Sequence, residues 1–296
     1  MVYSTISLLG FVSCLFPTLQ CGDYKLTDGK FDVLILPHKL SLVMNRRPCR
    51  DVESAACQQG EPPLADYPRY SSFQTSFSDL ITYDVKIPSE HTIQGKQYDA
   101  EIQMLHIHPG DARISSIGIV VEATPNGHNS DFQAILNQFQ IVYDKHENSC
   151  RRRERNLRWW NDTDKFLDGH DDDSSPFVRQ MTVGGFDPYS DKLFPTMFFY
   201  RYDGSITEPP CKDLTWWVLT EPMKISVQQL DQAKRLLFTH VDEGSCKPTS
   251  VHNRDQSVAR PVYPLGDDRE IQDCSAGSFR SDVDKGRMPG RRCRAN

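Results

Sequence analysis

The sequence predicts a mainly β fold with a few peripheral helices. Three observations predict it. Ile81, Tyr83, Val85 and Ile87 alternate with Thr82, Asp84 and Lys86, the period of two expected of a half-buried strand. Runs rich in β-branched and aromatic residues recur at 100–108 (AEIQMLHIH), 113–122 (RISSIGIVVE), 196–203 (TMFFYRYD) and 214–219 (LTWWVL), bounded by turn-forming residues. Helical periodicity is confined to two stretches, so strands outnumber helices.

Residues 6–19 are the one long apolar run, interrupted by Ser13 and Pro17. A comfortable membrane span needs about 20 apolar residues, so the run reads as a secretory signal over 1–21, leaving no membrane span in the mature chain. The next segment, 41–70, reads as loop, with Arg46-Arg47-Pro48-Cys49, Cys57 and Pro62-Pro63. Gly95-Lys96 marks a turn between two strands. Phe132, Ile135, Leu136 and Phe139 fall at i, i+3, i+4 and i+7, one amphipathic helix. Residues 144–185 carry Arg151-Arg152-Arg153 and Asp171-Asp172-Asp173 and read as a charged surface insertion, since charge runs are usually solvated faces. Ser226 and Gln229 form a capping box ahead of a helix with Val227, Leu230, Ala233 and Leu237 on one side. The stretch 275–296 reads as a disordered basic tail. One domain over 22–274 accounts for the rest.

Composition narrows the function. With 296 residues, 38% of them hydrophobic, the chain can bury a sizeable core. Lys+Arg 34 against Asp+Glu 40 gives a net charge of −6, which argues against a nucleic-acid partner. Nine dispersed cysteines contain no C-x-x-C pair, so they read as disulfides of an oxidising compartment, not zinc fingers. The expected location is secreted, or the lumen of the secretory pathway, where Asn161-Asp162-Thr163 would be a glycosylation acceptor.

Three ordered segments stand out. The first is Ser89-Glu90-His91-Thr92-Ile93 with Gly95-Lys96 and Ala100-Glu101. The second runs from Tyr202-Asp203-Gly204-Ser205-Ile206-Thr207-Glu208-Pro209-Pro210-Cys211 to Leu214-Thr215-Trp216. The third is Asn253-Arg254 with Arg260-Pro261-Val262-Tyr263-Pro264-Leu265. Together these segments resemble the α-class carbonic anhydrases. The resemblance covers roughly 70–274, and Arg-Arg-Pro-Cys and Pro-Ser-Glu-His are similar to algal members. It implies a central twisted, largely antiparallel ten-stranded sheet with peripheral helices. It also implies an active-site cone whose zinc is held by three histidines and makes hydroxide from water near neutral pH.

Carried over residue by residue, the resemblance makes Thr207 the threonine that orients the hydroxide and Glu90 its glutamate partner. Glu101 matches the carboxylate behind the third histidine, and Trp216 a tryptophan at the pocket base. The ligand positions hold no histidine. Gln103 stands at the third, and Thr82 and Asp84 stand at the first two if Tyr83 takes the middle of the motif. His106 and His108 have the wrong parity to share a face with Gln103, and His128 sits in a turn, so His91 and His106 read as interior packing and hydrogen-bonding residues. One carboxylate and two neutral oxygens make a poor zinc set.

The expectation is therefore a carbonic-anhydrase-like protein that lacks CO2 hydration activity, needs no cofactor and binds an unknown protein or small ligand. Two alternatives stand beside it. One is an active carbonic anhydrase with zinc in an unusual site; the other is acid–base chemistry from Glu90, Glu101 and Asp84. For the disulfides, the resemblance pairs Cys211 with Cys21, or with Cys150 if cleavage removes Cys21. Proximity in sequence suggests Cys49–Cys57 and Cys246–Cys274, although connectivity does not follow from sequence alone.

Overall fold

A computed structural model describes residues 31–44, 69–73, 76–107, 113–161, 187–196, 198–252 and 272–274. The expected signal, the tail, Cys21, Cys49, Cys57 and His108 lie outside the described residues. The strands are β1 (Phe31–Leu36), β2 (Lys39–Met44), β3 (Arg69–Phe73), β4 (Ser76–Lys86), β5 (Thr92–Ile93), β6 (Lys96–Gln97), β7 (Ala100–Ile107), β8 (Ile114–Thr124), β9 (Phe199–Ser205), β10 (Asp213–Leu219), β11 (Met223–Ser226) and β12 (Gln272–Cys274). Two helices, α1 (Ser130–Asn161) and α2 (Val227–Phe238), accompany them among the described residues.

Ten strands join one sheet in the order β1-β2-β4-β7-β8-β10-β9-β12, with β3 beside β4 and β11 beside β8. All its pairings are antiparallel except those of β8 with β10 and β11. This is the mainly β class that the sequence predicts, with the largely antiparallel ten-stranded sheet that the resemblance implies. Alternation divides its side chains between two cores. On β10, Trp217 and Leu219 join the large cluster with Phe132, Ile135 and Phe139 of α1, while Trp216 and Val218 join a smaller one with Val120, Tyr200 and Tyr202. The site lies on the second side of the sheet.

Residues 41–44 belong to β2, contrary to the loop reading. β1 and β2 pair from Phe31↔Met44 to Leu36↔Lys39, leaving Pro37-His38 as a two-residue turn. α1 also runs well past the expected apolar patch, through 144–161 of the charged stretch, with Arg151, Arg152 and Arg153 exposed. A charged face is what a helix turns to water once its apolar stripe is buried. Asn161 of the sequon is the last residue of α1.

The capping box of α2 forms as expected, with Ser226 and Gln229 satisfying each other's backbone N–H groups. Gln229 does more. Its Oε1 accepts from Asn129 N at 3.0 Å and its Nε2 donates to Asn129 O at 2.7 Å. Asn129 in turn accepts from Asp131 N and Phe132 N and so caps α1. The starts of both helices are thus held by one side chain.

Cys150 is bonded to Cys246, tying α1 to the loop after α2. This corrects two expectations: Cys246 does not pair with Cys274, and Cys150 is not the alternative partner of Cys211. A sequence guess by proximity favours short loops, whereas this bridge spans 96 residues.

Candidate functional site: a cone floored by ion pairs

Glu101 on β7 is the hub of the inner site. Its side chain is fully buried and accepts four hydrogen bonds. Glu90 N and His91 N reach Oε2 at 2.9 and 2.8 Å; His91 Nδ1 and Gln103 Nε2 reach Oε1 at 2.5 and 3.1 Å. Burial alone would raise the Glu101 pKa, but His91 and these hydrogen bonds outweigh it and hold the carboxyl below its ordinary value. His91 Nε2 meets the Tyr202 hydroxyl at 2.6 Å, and its ring stands edge-on to Trp216 at 4.7 Å. Burial, reinforced by Glu101 and Glu90, pushes the Tyr202 phenol well up, so it stays protonated. The close approach requires Gly118. A Cβ there would lie 3.2 Å from Glu101 Oε1 and 3.6 Å from His91 Nδ1.

The ligand positions carry other chemistry. Asp84 faces Gln103 directly across the β4–β7 ladder. Asp84 accepts from Ser41 Oγ at 2.5 Å, Lys39 Nζ at 3.0 Å and Thr82 Oγ1 at 3.3 Å. Gln103 spends its amide on Glu90 Oε2 at 2.9 Å as well as on Glu101. Two residues further along β4 on the same face, opposite Glu101, is Lys86. Its Nζ lies 2.5 Å from Glu208 Oε1 and 3.9 Å from Glu90 Oε1. Lys39 Nζ also reaches Glu208, at 2.9 Å, and His38 Nε2 lies 3.0 Å from the same oxygen.

Glu208 therefore receives two ammonium groups and faces the His38 ring. Burial works to raise its pKa, and His38, Lys86 and Lys39 together pull it far below the usual carboxylate range. Burial likewise disfavours the Lys39 ammonium, but Asp84 and Glu208 more than compensate and raise its pKa.

A cavity of about 330 Å³ opens above this floor. His38, Lys86, Glu90, Thr207, Glu208 and His252 give it a polar wall, and Ile87, Pro88 and Pro209 an apolar one. Glu90 and Thr207 both line this cavity, but the Glu90 carboxylate is engaged by Gln103 and Lys86 and makes no hydrogen bond to Thr207. Trp216 is buried against His91 and fixed by a hydrogen bond from Nε1 to Ser205 O, and it is not among the residues that line the cavity. His106 is on the other side of the sheet, with Nδ1 on Met104 O at 2.8 Å and Nε2 on Tyr189 OH at 2.6 Å. His128 is exposed.

Sequence reasoning missed Lys39, Ser41, Lys86 and Glu208. The signal for the first two was present: two apolar runs separated by Pro37-His38 form a hairpin pattern, which would have put Lys39 and Ser41 on a strand.

A family model of the eukaryotic-type carbonic anhydrases matches residues 63–274, and the chain belongs to that family. Its curated relatives include mouse carbonic anhydrase 7, 30% identical over 181 residues, covering 60% of this chain and 56% of the relative. Rabbit carbonic anhydrase 1 is 25% identical over 213 residues, covering 69% and 72%. Dioscorin DB3L of Dioscorea polystachya is 25% identical over 197 residues, covering 64% and 55%. The chain thus spans between about half and three quarters of these relatives' length. Among solved structures, carbonic anhydrase Cah3 from Chlamydomonas reinhardtii in complex with acetazolamide is similar in fold, with a TM-score of 0.53 at 16% identity, covering 92% of this chain and 88% of that one. Dioscorin complexed with ascorbate matches with a TM-score of 0.52 at 16% identity, covering 91% and 83%.

Zinc, the metal that the family implies, does not fit the donor set of the described residues around Asp84 and Gln103. Among the described residues no group of three or more His, Cys, Asp or Glu is arranged to hold a metal ion. The donor chemistry says why. An ammonium offers only donors and no lone pair, and Lys86 and Lys39 set two of them against the acidic groups of the site. A dication there would meet their charge at close range. No helix among the described residues is long and apolar enough to cross a membrane.

Proposed function

We propose that this protein uses the carbonic anhydrase fold without the reaction: it does not hydrate CO2, and it acts as a secreted binding or structural module. One observation carries the reading. Asp84 and Gln103 face each other across the β4–β7 ladder with Lys86 beside them on the same face, and all three are committed to hydrogen bonds or ion pairs with other protein groups. Carboxylate charge that would otherwise call for a metal is balanced by lysine. Thr207 and Glu90 alone cannot produce hydroxide from water at neutral pH, because nothing beside them lowers the pKa of water as a zinc ion does. Dioscorin, solved with ascorbate, supports a binding role for this fold. The apolar run at 6–19 and the Cys150–Cys246 bridge support secretion, with Asn161 as a glycan acceptor.

The test is metal content and hydration rate of protein purified from zinc-supplemented medium. The expected result is zinc far below one equivalent and no hydration above the uncatalysed rate. Stoichiometric zinc with hydration that a chelator abolishes overturns the reading.

A further inference from the structure

Glu208 is a side chain sitting where a ligand would. It belongs to the turn between β9 and β10, closed by a hydrogen bond from Cys211 N to its carbonyl at 2.8 Å, and its carboxylate reaches into a cradle made by three residues of other strands and turns. His38, Lys39 and Lys86 converge on it at 3.0, 2.9 and 2.5 Å. The burial is graded: the Lys86 side chain is 4% exposed and that of Lys39 11%, while that of Glu208 is 29% exposed and that of His38, at the rim, 33%. The cations are fixed in the wall, and the carboxylate is the member that can leave by side-chain rotation alone, into the cavity it already lines.

We propose that His38, Lys39 and Lys86 form a receptor for a small organic monocarboxylate, which Glu208 occupies in the absence of ligand. This inference rests on the binding reading above and names its ligand class. The charge pattern selects an anion. With Glu208 displaced, Lys39 keeps Asp84 at 3.0 Å, but Lys86 keeps only Glu90 at 3.9 Å, so one ammonium is left short of a partner in a mostly buried place, which is costly. An incoming carboxylate restores the pairing with charge-assisted hydrogen bonds. The cavity shape selects the rest of the molecule. Ile87, Pro88 and Pro209 offer an apolar surface beside the cradle, suited to a short hydrocarbon group on the acid. Glu208 thereby sets the affinity, because a ligand must compete with a carboxylate tethered at high effective concentration.

Calorimetric titration of the full chain, kept with a chelator, tests this with hexanoate, acetate and neutral hexanamide. Wild type is expected to bind hexanoate weakly, and Glu208→Ala at least tenfold more tightly, with acetate weaker than hexanoate and hexanamide silent. Adding His38→Gln to Glu208→Ala should weaken hexanoate severalfold, and adding Lys86→Met should abolish it. Glu208→Gln, which keeps the side-chain shape, carries the same test if the alanine variant does not fold. A folded Glu208 variant that binds hexanoate no more tightly than wild type, or binds hexanamide equally well, overturns the proposal. Zinc analysis of the same preparation keeps the two ideas apart: zinc-free protein indifferent to carboxylates sinks the receptor alone, whereas stoichiometric zinc with hydration sinks the reading beneath it.

Discussion

Asp84 and Gln103 are direct neighbours across the β4–β7 ladder, yet their side chains belong to different bonding groups. Asp84 turns to Lys39 and Ser41 of β2, Gln103 to Glu90 and Glu101. The pair marks the seam between a cationic cluster at the cavity and a carboxylate–histidine cluster behind it.

That seam predicts which substitutions build a metal site. Histidines at Asp84, Lys86 and Gln103 together should create zinc binding, because all three lie on one face and Lys86 lines the cavity. Histidines at Thr82, Asp84 and Gln103 should do so less well, since Thr82 stands opposite Leu105 beside a register shift and away from the cavity that Lys86 lines. Structural zinc in small peptides is worth about 10–16 kcal/mol, so even a distorted site would be detected by competition with a chromogenic chelator. Equal affinity in the two triple variants would refute the register argument.

Gly118→Ala should destabilise the protein by about 1–3 kcal/mol. The new methyl group would press on Glu101 Oε1 at 3.2 Å, and that oxygen cannot retreat without breaking its bonds to His91 and Gln103. Urea unfolding measures the effect; an unchanged midpoint would mean that the cluster can move.

Stability should fall as pH drops below about 6.5, before carboxylates begin to titrate. Burial lowers the His106 pKa to about 3, despite the opposing hydrogen bond to Met104 O, and burial with His146 lowers that of His240 to about 4. Both histidines are therefore protonated more readily in the unfolded chain, near pH 6.5. Their contribution is full above pH 6.5 and is lost progressively toward pH 4 for His240 and pH 3 for His106. Each contributes a slope of at most about 1.4 kcal/mol per pH unit. Denaturation between pH 7.5 and 5 should show the decline, and His106→Gln should make it shallower. A flat profile in wild type would contradict it.

Gln229→Ala should cost about 1–3 kcal/mol, more than an ordinary lost cap, because it strips the capping box of α2 and leaves Asn129 N and O without their partner. Amide exchange offers a sharper check. Protection should fall together in the first turns of both helices; loss in α2 alone would show that the bridge carries little.

The fold class was legible because alternation along β4, β7, β8 and β10 survives in single runs of sequence. That Glu90, His91 and Glu101 lie close together was legible because their motif is contiguous in sequence. What could not be read was who answers whom across long separations. Lys39 meets Glu208 across 169 residues, and no local period encodes that contact. The continuation of α1 past residue 143 was hidden for another reason: its apolar stripe weakens where charge dominates, and exposed helix positions need no apolar pattern. Proximity in sequence points Cys246 to Cys274, whereas its partner is Cys150, 96 residues away, because sequence distance says little about spatial distance in a sheet of long-range pairings.

The bridge between Cys150 and Cys246 closes a covalent ring around a large part of the chain, including residues 162–186. A protease that cut once inside that ring would not release a fragment. The nicked protein would keep its mass on a gel run without reductant and fall into pieces once thiols were added, so cleavage there can go unnoticed in an oxidising medium and become consequential only on entry to a reducing one.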